Sequence, residues 1–232
     1  QLIKRLVTSN PSPGYIYRVS QVFEDNGQGV RGDLGAVVKA ILTDYEARST
    51  TFLDDAGYGK KREPIIAAAS ILRTWGADTV NPGGAWRWWG SQNSLGQAPL
   101  RAPSVFNFFE PHYSYPGAIT EAGLDSPEFQ IHSETNAIKT VNKYGSLLSQ
   151  QGFQIGRADE VSWQWPQDLL DLVGDNAALL DYLDRLIMSG QMSTELRGEL
   201  DTLLTSLAGE SDDEILENVL YCLYNSPEFT IQ

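Results

Sequence analysis

Apolar residues recur at helical spacing over most of the chain. Leu34, Val37, Val38, Ile41 and Leu42 form one stripe, and Ile65, Ala68, Ala69, Leu72 and Trp75 form a second. Pro64 suits the first turn of that second helix, where a missing N–H costs nothing. A third helix is expected from about Ser133 to Gln151, with Ala137, Ile138, Val141, Tyr144 and Leu148 on one face. Towards the C-terminus, Leu179, Leu183, Leu186 and Ile187 suit a helix closed by Gly190. Ser193 can cap the next, which carries Leu196, Leu200, Leu203, Leu204 and Leu207. Ser211 and Glu214 then stand at capping-box spacing before Ile215, Leu216, Val219, Leu220 and Leu223. No stretch alternates with a period of two, so the fold class expected is all-α, with no sheet of any size.

The helical period fails between about residues 77 and 132. This segment holds Asn81-Pro82-Gly83-Gly84, the run Trp86-Arg87-Trp88-Trp89-Gly90, and Pro99, Pro103, Pro111 and Pro116. A short helix is expected over Pro103–Phe109 and ordered loop elsewhere, because so many aromatics do not stay dispersed in water. Long loops in compact domains are often functional, which marks the segment for attention. The expected organisation is therefore a helical portion over 1–156 that includes this loop, and a C-terminal helical bundle over 157–232, packed together as one body. Asp125-Ser126-Pro127-Glu128-Phe129-Gln130-Ile131 is echoed by Asn225-Ser226-Pro227-Glu228-Phe229-Thr230-Ile231, a likeness that shared turn chemistry accounts for.

Charge sharpens this picture. From residue 157 onward there are three basic residues against sixteen acidic ones, so the whole net charge of −13 falls there and the first 156 residues sum to zero. An acidic bundle repels phosphate backbones, which argues against nucleic acid as a partner. No apolar run reaches the roughly 18 residues that a bilayer demands, so no membrane span is expected. The chain opens on Gln1 without an initiator Met or a signal-peptide pattern, and is expected to be a fragment or a processed product. The single cysteine, Cys222, sits among Val219, Leu220, Leu223 and Tyr224 and reads as a small buried hydrophobe.

Two constellations carry candidate chemistry. Glu110, His112, His132 and Glu134 include two imidazoles and two carboxylates, the donor types of a zinc site or a general base. Their spacing matches no metal motif, and ordinary hydrogen bonding near helix ends is the simpler expectation. Trp86, Arg87, Trp88 and Trp89, with Arg101 and Tyr113 downstream, form the candidate ligand-binding set: indoles stack on sugar faces, and equally anchor loops or interfaces. Asp25-Asn26-Gly27-Gln28-Gly29 and Asp54-Asp55-Ala56-Gly57 offer oxygen ligands for calcium but lack EF-hand spacing, and read as turns. Gly-x-Ser-x-Gly, phosphate-loop and dinucleotide glycine patterns are absent, so no nucleophile and no cofactor is expected.

Four stretches carry a family resemblance. They are Arg5-Leu6-Val7-Thr8-Ser9-Asn10-Pro11-Ser12-Pro13, Gly29-Val30-Arg31-Gly32-Asp33-Leu34, Lys61-Arg62-Glu63-Pro64, and Leu100-Arg101-Ala102-Pro103-Ser104-Val105-Phe106-Asn107-Phe108-Phe109 with its continuation through Pro127-Glu128-Phe129-Gln130-Ile131. In this order they resemble the C-terminal half of the bacterial family called domain of unknown function 1800. His112 and His132 depart from that pattern, so no role common to the family rests on them. The resemblance brings no established activity. It implies a periplasmic, cell-surface or extracellular setting and a longer parent protein. The function expected is a non-catalytic interaction or scaffold module, with itself, another exported protein or a glycan as partner. The alternative is an exported enzyme or binding protein acting on glycans or esters, with Glu110, Glu128, Glu134 and the two histidines lining a cleft and two carboxylates about 5–10 Å apart.

Overall fold

In the computed structural model, residues 1–52, 55–79, 91–149 and 161–231 are described. The fold is all-α. The helices are α1 (Leu2–Leu6), α2 (Pro13–Glu24), α3 (Leu34–Thr43), α4 (Tyr45–Arg48), α5 (Pro64–Thr74), α6 (Ser91–Leu95), α7 (Ala118–Glu121), α8 (Glu134–Leu148), α9 (Gln167–Leu170), α10 (Asn176–Leu183), α11 (Thr194–Ser206), α12 (Asp212–Asn225) and α13 (Pro227–Thr230). Extended pairing among the described residues includes a two-residue antiparallel match of Asp78–Thr79 with Val161–Ser162 and an isolated bridge, Ser104 to Asn107.

By its own contacts the chain forms two compact units, which do not follow the division at residue 156. The first comprises Gln1–Lys61 and Ala102–Ile131, the second Arg62–Arg101 and His132–Gln232. The physical reason lies in α8. It packs on α5, α6 and α12, so it shares a core with the C-terminal helices rather than with the N-terminal ones.

The second unit is built on a large apolar core. Ile71, Leu72, Trp75, Tyr144, Leu147, Leu148, Leu183, Leu216, Leu220, Leu223 and Tyr224 are buried in it. Helix ends are set by local chemistry. The Ser133, Ser193 and Ser211 hydroxyls each accept from a backbone N–H two or three residues into α8, α11 and α12. Ser211 and Glu214 complete a reciprocal capping box. Pro64 opens α5 as its residue type favours. After α10 the chain widens into one π turn over Asp184–Met188, then leaves through Ser189 and Gly190, both at positive φ. Gly145 marks the closest approach of α8 to Tyr221 of α12, since a Cβ there would lie 3.1 Å from that ring.

The first unit has a much smaller core: Ile3, Tyr15, Val19, Val37 and Ile41. Polar fastening supplements it. Arg18 of α2 forms a two-pronged pair with Asp44, 2.8 Å on each prong, and also reaches Glu46 at 2.9 Å while lying over the Tyr45 ring. The hydrogen bonds from Arg18 hold the Asp44 carboxyl below the usual carboxylate range against the opposing effect of burial. Asp33 and Ser12 cap α3 and α2.

Several phases differ from the sequence expectation. Leu34 and Leu42 lie exposed while Val37 and Ile41 are buried, and Ile138 of α8 faces solvent while Leu147 is fully enclosed. Cys222 is exposed rather than buried, because α12 turns Val219, Leu220, Leu223 and Tyr224 inward and carries residue 222 away from that face. Pro103–Phe109 is not a helix. Asn107 at φ 74° and the Ser104 hydroxyl, accepting from the Phe106 N–H, fold it into a tight turn instead. Asp25 and Asn26 make local Asx turns to Gly27, Gln28 and Gly29, and Asp55 makes one to Gly57.

The capping box supports a simple test. Ser211→Ala is expected to cost about 1 kcal/mol in chemical denaturation, with α12 fraying at its start and the slope of the transition unchanged.

Candidate functional site

The polar chemistry of the first unit concentrates where α1, the 8–13 strap, the Lys60-Lys61 pair and the 102–131 segment meet. Glu128 is almost wholly enclosed, as is Lys60, and Nζ of Lys60 lies 3.0 Å from Oε1 of Glu128. Pairing offsets the cost of such burial, because desolvating either charge alone costs several kcal/mol. The same ammonium donates to the Arg5 carbonyl at 2.8 Å, and the Ser9 hydroxyl donates to Oε2 of Glu128 at 3.4 Å. Thr8 and Ser9 are stitched to Gly59 through backbone and hydroxyl hydrogen bonds. One ion pair therefore ties α1, the strap that follows it and the 127–131 turn together.

Lys61 is buried next to this pair, with Nζ 5.1 Å from the centre of the Phe129 ring. No carboxylate among the described residues pairs with it, and burial pushes its ammonium below the usual lysine range. Arg5 stacks over Phe109 at 4.0 Å and donates to the Phe106 carbonyl, which fixes the Ser104–Asn107 turn on α1.

Around the rim lies a second cluster. Lys4 pairs with Asp125, whose carboxylate is also 3.2 Å from Nδ1 of His112; Lys4 Nζ is 3.3 Å from the same Nδ1. Burial raises the Asp125 carboxyl, but the hydrogen bonds and charges of Lys4 and His112 outweigh it and hold the group below the usual carboxylate range. A single Nδ1 accepts from Lys4 when bare, or donates to Asp125 when protonated, so the three groups are coupled. Asn10 completes the rim: its amide exchanges two hydrogen bonds with the Asp125 backbone. Lys4 and His112 also line a cavity of about 530 Å³, otherwise mostly apolar, walled by Ile3, Ile16, Val19, Phe23, Val37 and Ile41. Its size is that of a small-ligand site, but its walls offer few polar groups to orient a substrate.

The residues singled out from sequence are placed as follows. His112 stands at this rim with its side chain 74% exposed. Glu110 is exposed in the same unit, whereas His132 and Glu134 belong to the second, Glu134 in the first turn of α8. Among the described residues no three of His, Cys, Asp and Glu are grouped to hold a metal ion, so the four are not brought together as a donor set. Tyr113 is half-buried and its backbone joins Glu110 and Ser126, while Arg101 is exposed and belongs to the other unit. Trp86, Arg87, Trp88 and Trp89 lie outside the described residues. Sequence reasoning named Glu128 only as a cleft carboxylate of the enzyme alternative, and did not find Lys4, Ser9, Lys60 or Asp125. The available signal was a Glu set between Pro127 and Phe129 in an otherwise anchoring turn.

The SPEF echo has a chemical counterpart in the second unit. There Glu228 accepts from the backbone N–H and hydroxyl of Ser193, and Phe229 lies under Arg62 at 4.3 Å. In each unit the Glu of the motif accepts from a serine and the Phe carries a cation.

A family model described as "Protein of unknown function (DUF1800)" matches residues 1–231. No curated protein and no solved structure matches the chain. No helix among the described residues is long and apolar enough to cross a membrane.

The Lys60–Glu128 pair makes an asymmetric prediction. Glu128→Gln leaves an uncompensated buried ammonium and is expected to cost about 3–5 kcal/mol in urea unfolding. Joining it with Lys60→Met should restore most of that loss, because the remaining neutral pair needs no counter-charge. Equal, additive losses from the two substitutions would show that the pair is not coupled.

Proposed function

The chain belongs to the DUF1800 family, and we propose that within it this chain is a non-catalytic interaction or scaffold module of the bacterial envelope or exterior. The observation that carries this reading is the imbalance of the first unit. Its core holds five buried hydrophobic residues, while Leu2, Leu6, Ile16, Tyr17, Phe23, Leu34 and Leu42 on α1–α3 remain exposed. Exposed apolar side chains on three helices that pack on one another favour a contact face for another protein. Ile16 and Phe23 belong both to this surface and to the wall of the 530 Å³ cavity, which gives a partner's side chain a place to insert. The partner is a second copy or another exported protein; a glycan partner rests on the tryptophan run alone.

The reading as an enzyme on glycans or esters draws less support. A glycosidase needs two carboxylates about 5–10 Å apart across its substrate. Glu128 is committed to Lys60 and Ser9, and Asp125 is committed to Lys4. Glu110 and Glu134 are exposed and belong to different units.

Sedimentation velocity across a concentration series tests the proposal. Self-association that disappears in Ile16→Asp with Phe23→Asp, at unchanged helix content, is the expected result. If the protein stays monomeric at high micromolar concentration, and the double variant retains every exported partner that cross-links to the wild type, the proposal fails.

A further inference from the structure

Tight turns normally carry glycine, asparagine, aspartate, serine or proline at their tips. The turn over Ser104–Asn107, closed by the Asn107 N–H donating to the Ser104 carbonyl at 3.2 Å, carries Val105 and Phe106 there instead. Val105 is 95% exposed and Phe106 52%. Leaving such side chains in water forgoes about 1.5–3 kcal/mol each relative to full burial. Local bonds hold the tip in place. The Ser104 hydroxyl accepts from the Phe106 N–H at 3.1 Å, and the Phe106 carbonyl accepts at 3.1 Å from Arg5, whose guanidinium rests on the Phe109 ring. The tip is therefore a preformed apolar knob, with much of its ordering cost met before any partner arrives.

A matching hole lies in the same unit. The cavity of about 530 Å³ is walled by Ile16, Val19, Phe23 and Ile41, and has room for a valine and a phenylalanine side chain together. Ile16 and Phe23 remain exposed, so it opens to solvent. Knob and hole border one helix: Leu2, Ile3 and Lys4 of α1 line the cavity, and Arg5, next in the chain, grips the turn. A patch that carries a knob beside a hole is self-complementary, which is the condition for pairing across a two-fold axis. Charge permits the same pairing. Lys4, His112 and Glu24 all line the cavity, so both signs are present and a second copy can answer each with its opposite. The first unit has eight basic residues against eleven acidic ones, whereas the second has nine against nineteen, so mutual repulsion is weakest for contact through the first.

We propose that the chain pairs with a second copy through this unit, with Val105 and Phe106 of each copy seated in the cavity of the other. Such pairing rests on the contact face read on α1–α3 and supplies its occupant. Two apolar side chains entering a mostly apolar cavity are buried at the centre of the contact, while the charges of Lys4, His112 and Glu24 fix its register.

The test is sedimentation equilibrium of the wild type, Val105→Asp, Phe106→Asp and Ile16→Lys, with circular dichroism to confirm the fold of each. The wild type is expected to dimerise, and each substitution to raise the dissociation constant roughly thirtyfold or more. Val105, at 95% exposure, has almost no contacts within the monomer to lose, so its variant remains informative if another fails to fold. An equimolar mixture of Phe106→Asp and Ile16→Lys should dimerise more tightly than either alone, because the mixed dimer keeps one native contact and sets the new carboxylate against the new amine. A monomeric wild type overturns the pairing, yet leaves the contact face to other exported partners. Dimers lost in Ile16→Lys but kept in Val105→Asp and Phe106→Asp overturn the knob and spare the face. Variants that dissociate and do not recover on mixing overturn the reciprocal seating.

Discussion

A single ion pair organises the first unit. Lys60 and Glu128 come from segments that have no local reason to meet, yet both are buried and face one another at 3.0 Å. Neither charge is tolerable without the other at such burial. Because the Lys60 ammonium also takes the Arg5 carbonyl and Glu128 also takes the Ser9 hydroxyl, the pair fixes α1 and its strap against the 127–131 turn. The rim cluster of Lys4, His112 and Asp125 and the stack of Arg5 on Phe109 are further links between the same two segments. With only five residues in its apolar core, this unit relies on polar fastening to a degree that the second does not.

The two SPEF turns extend this logic. Consecutive basic residues, Lys61 and Arg62, each lie on the Phe of one turn: Phe129 in the first unit and Phe229 in the second. Glu128 and Glu228 each accept from a serine that precedes a helix, Ser9 ahead of α2 and Ser193 ahead of α11. A short motif thus provides a complete fastening device, in which proline sets the turn, glutamate receives a hydroxyl and phenylalanine seats a cation. The Lys-Arg-Glu-Pro stretch supplies one cation to each turn, and its proline begins α5.

The sequence made the second unit largely legible and the first much less so. Ser193, Ser211, Glu214 and Pro64 act within a few residues of themselves, so their roles could be read from spacing, and all four do as their types predict. Stripe phases were less secure. Ile138 and Leu42 fit an apolar pattern but point to solvent, because the direction of a helix's buried face is set by its neighbours and not by its own period. Pro103–Phe109 has apolar content suited to a helix, but Ser104 and Asn107 offer the backbone a turn instead. The site was least legible of all. Lys60 and Glu128 are ordinary charged residues in sequence, and their meaning comes from a long-range contact that no local pattern encodes. His112 was visible because histidine is rare in this chain, but the groups that couple to it, Lys4 and Asp125, were not.

The claim that one buried ion pair holds the N-terminal strap to the 102–131 segment is tested most directly by native-state hydrogen exchange on the Glu128→Gln chain. Two amides whose own hydrogen bonds do not involve the Glu128 side chain serve as reporters: that of Ser9, bound to the Gly59 carbonyl, and that of Ser126, bound to the Tyr113 carbonyl. Both should lose protection together, along with the rest of 1–13 and 102–131, while the interiors of α8 and α12 stay protected. Loss confined to 127–131, with Ser9 as protected as in the wild type, would contradict the account.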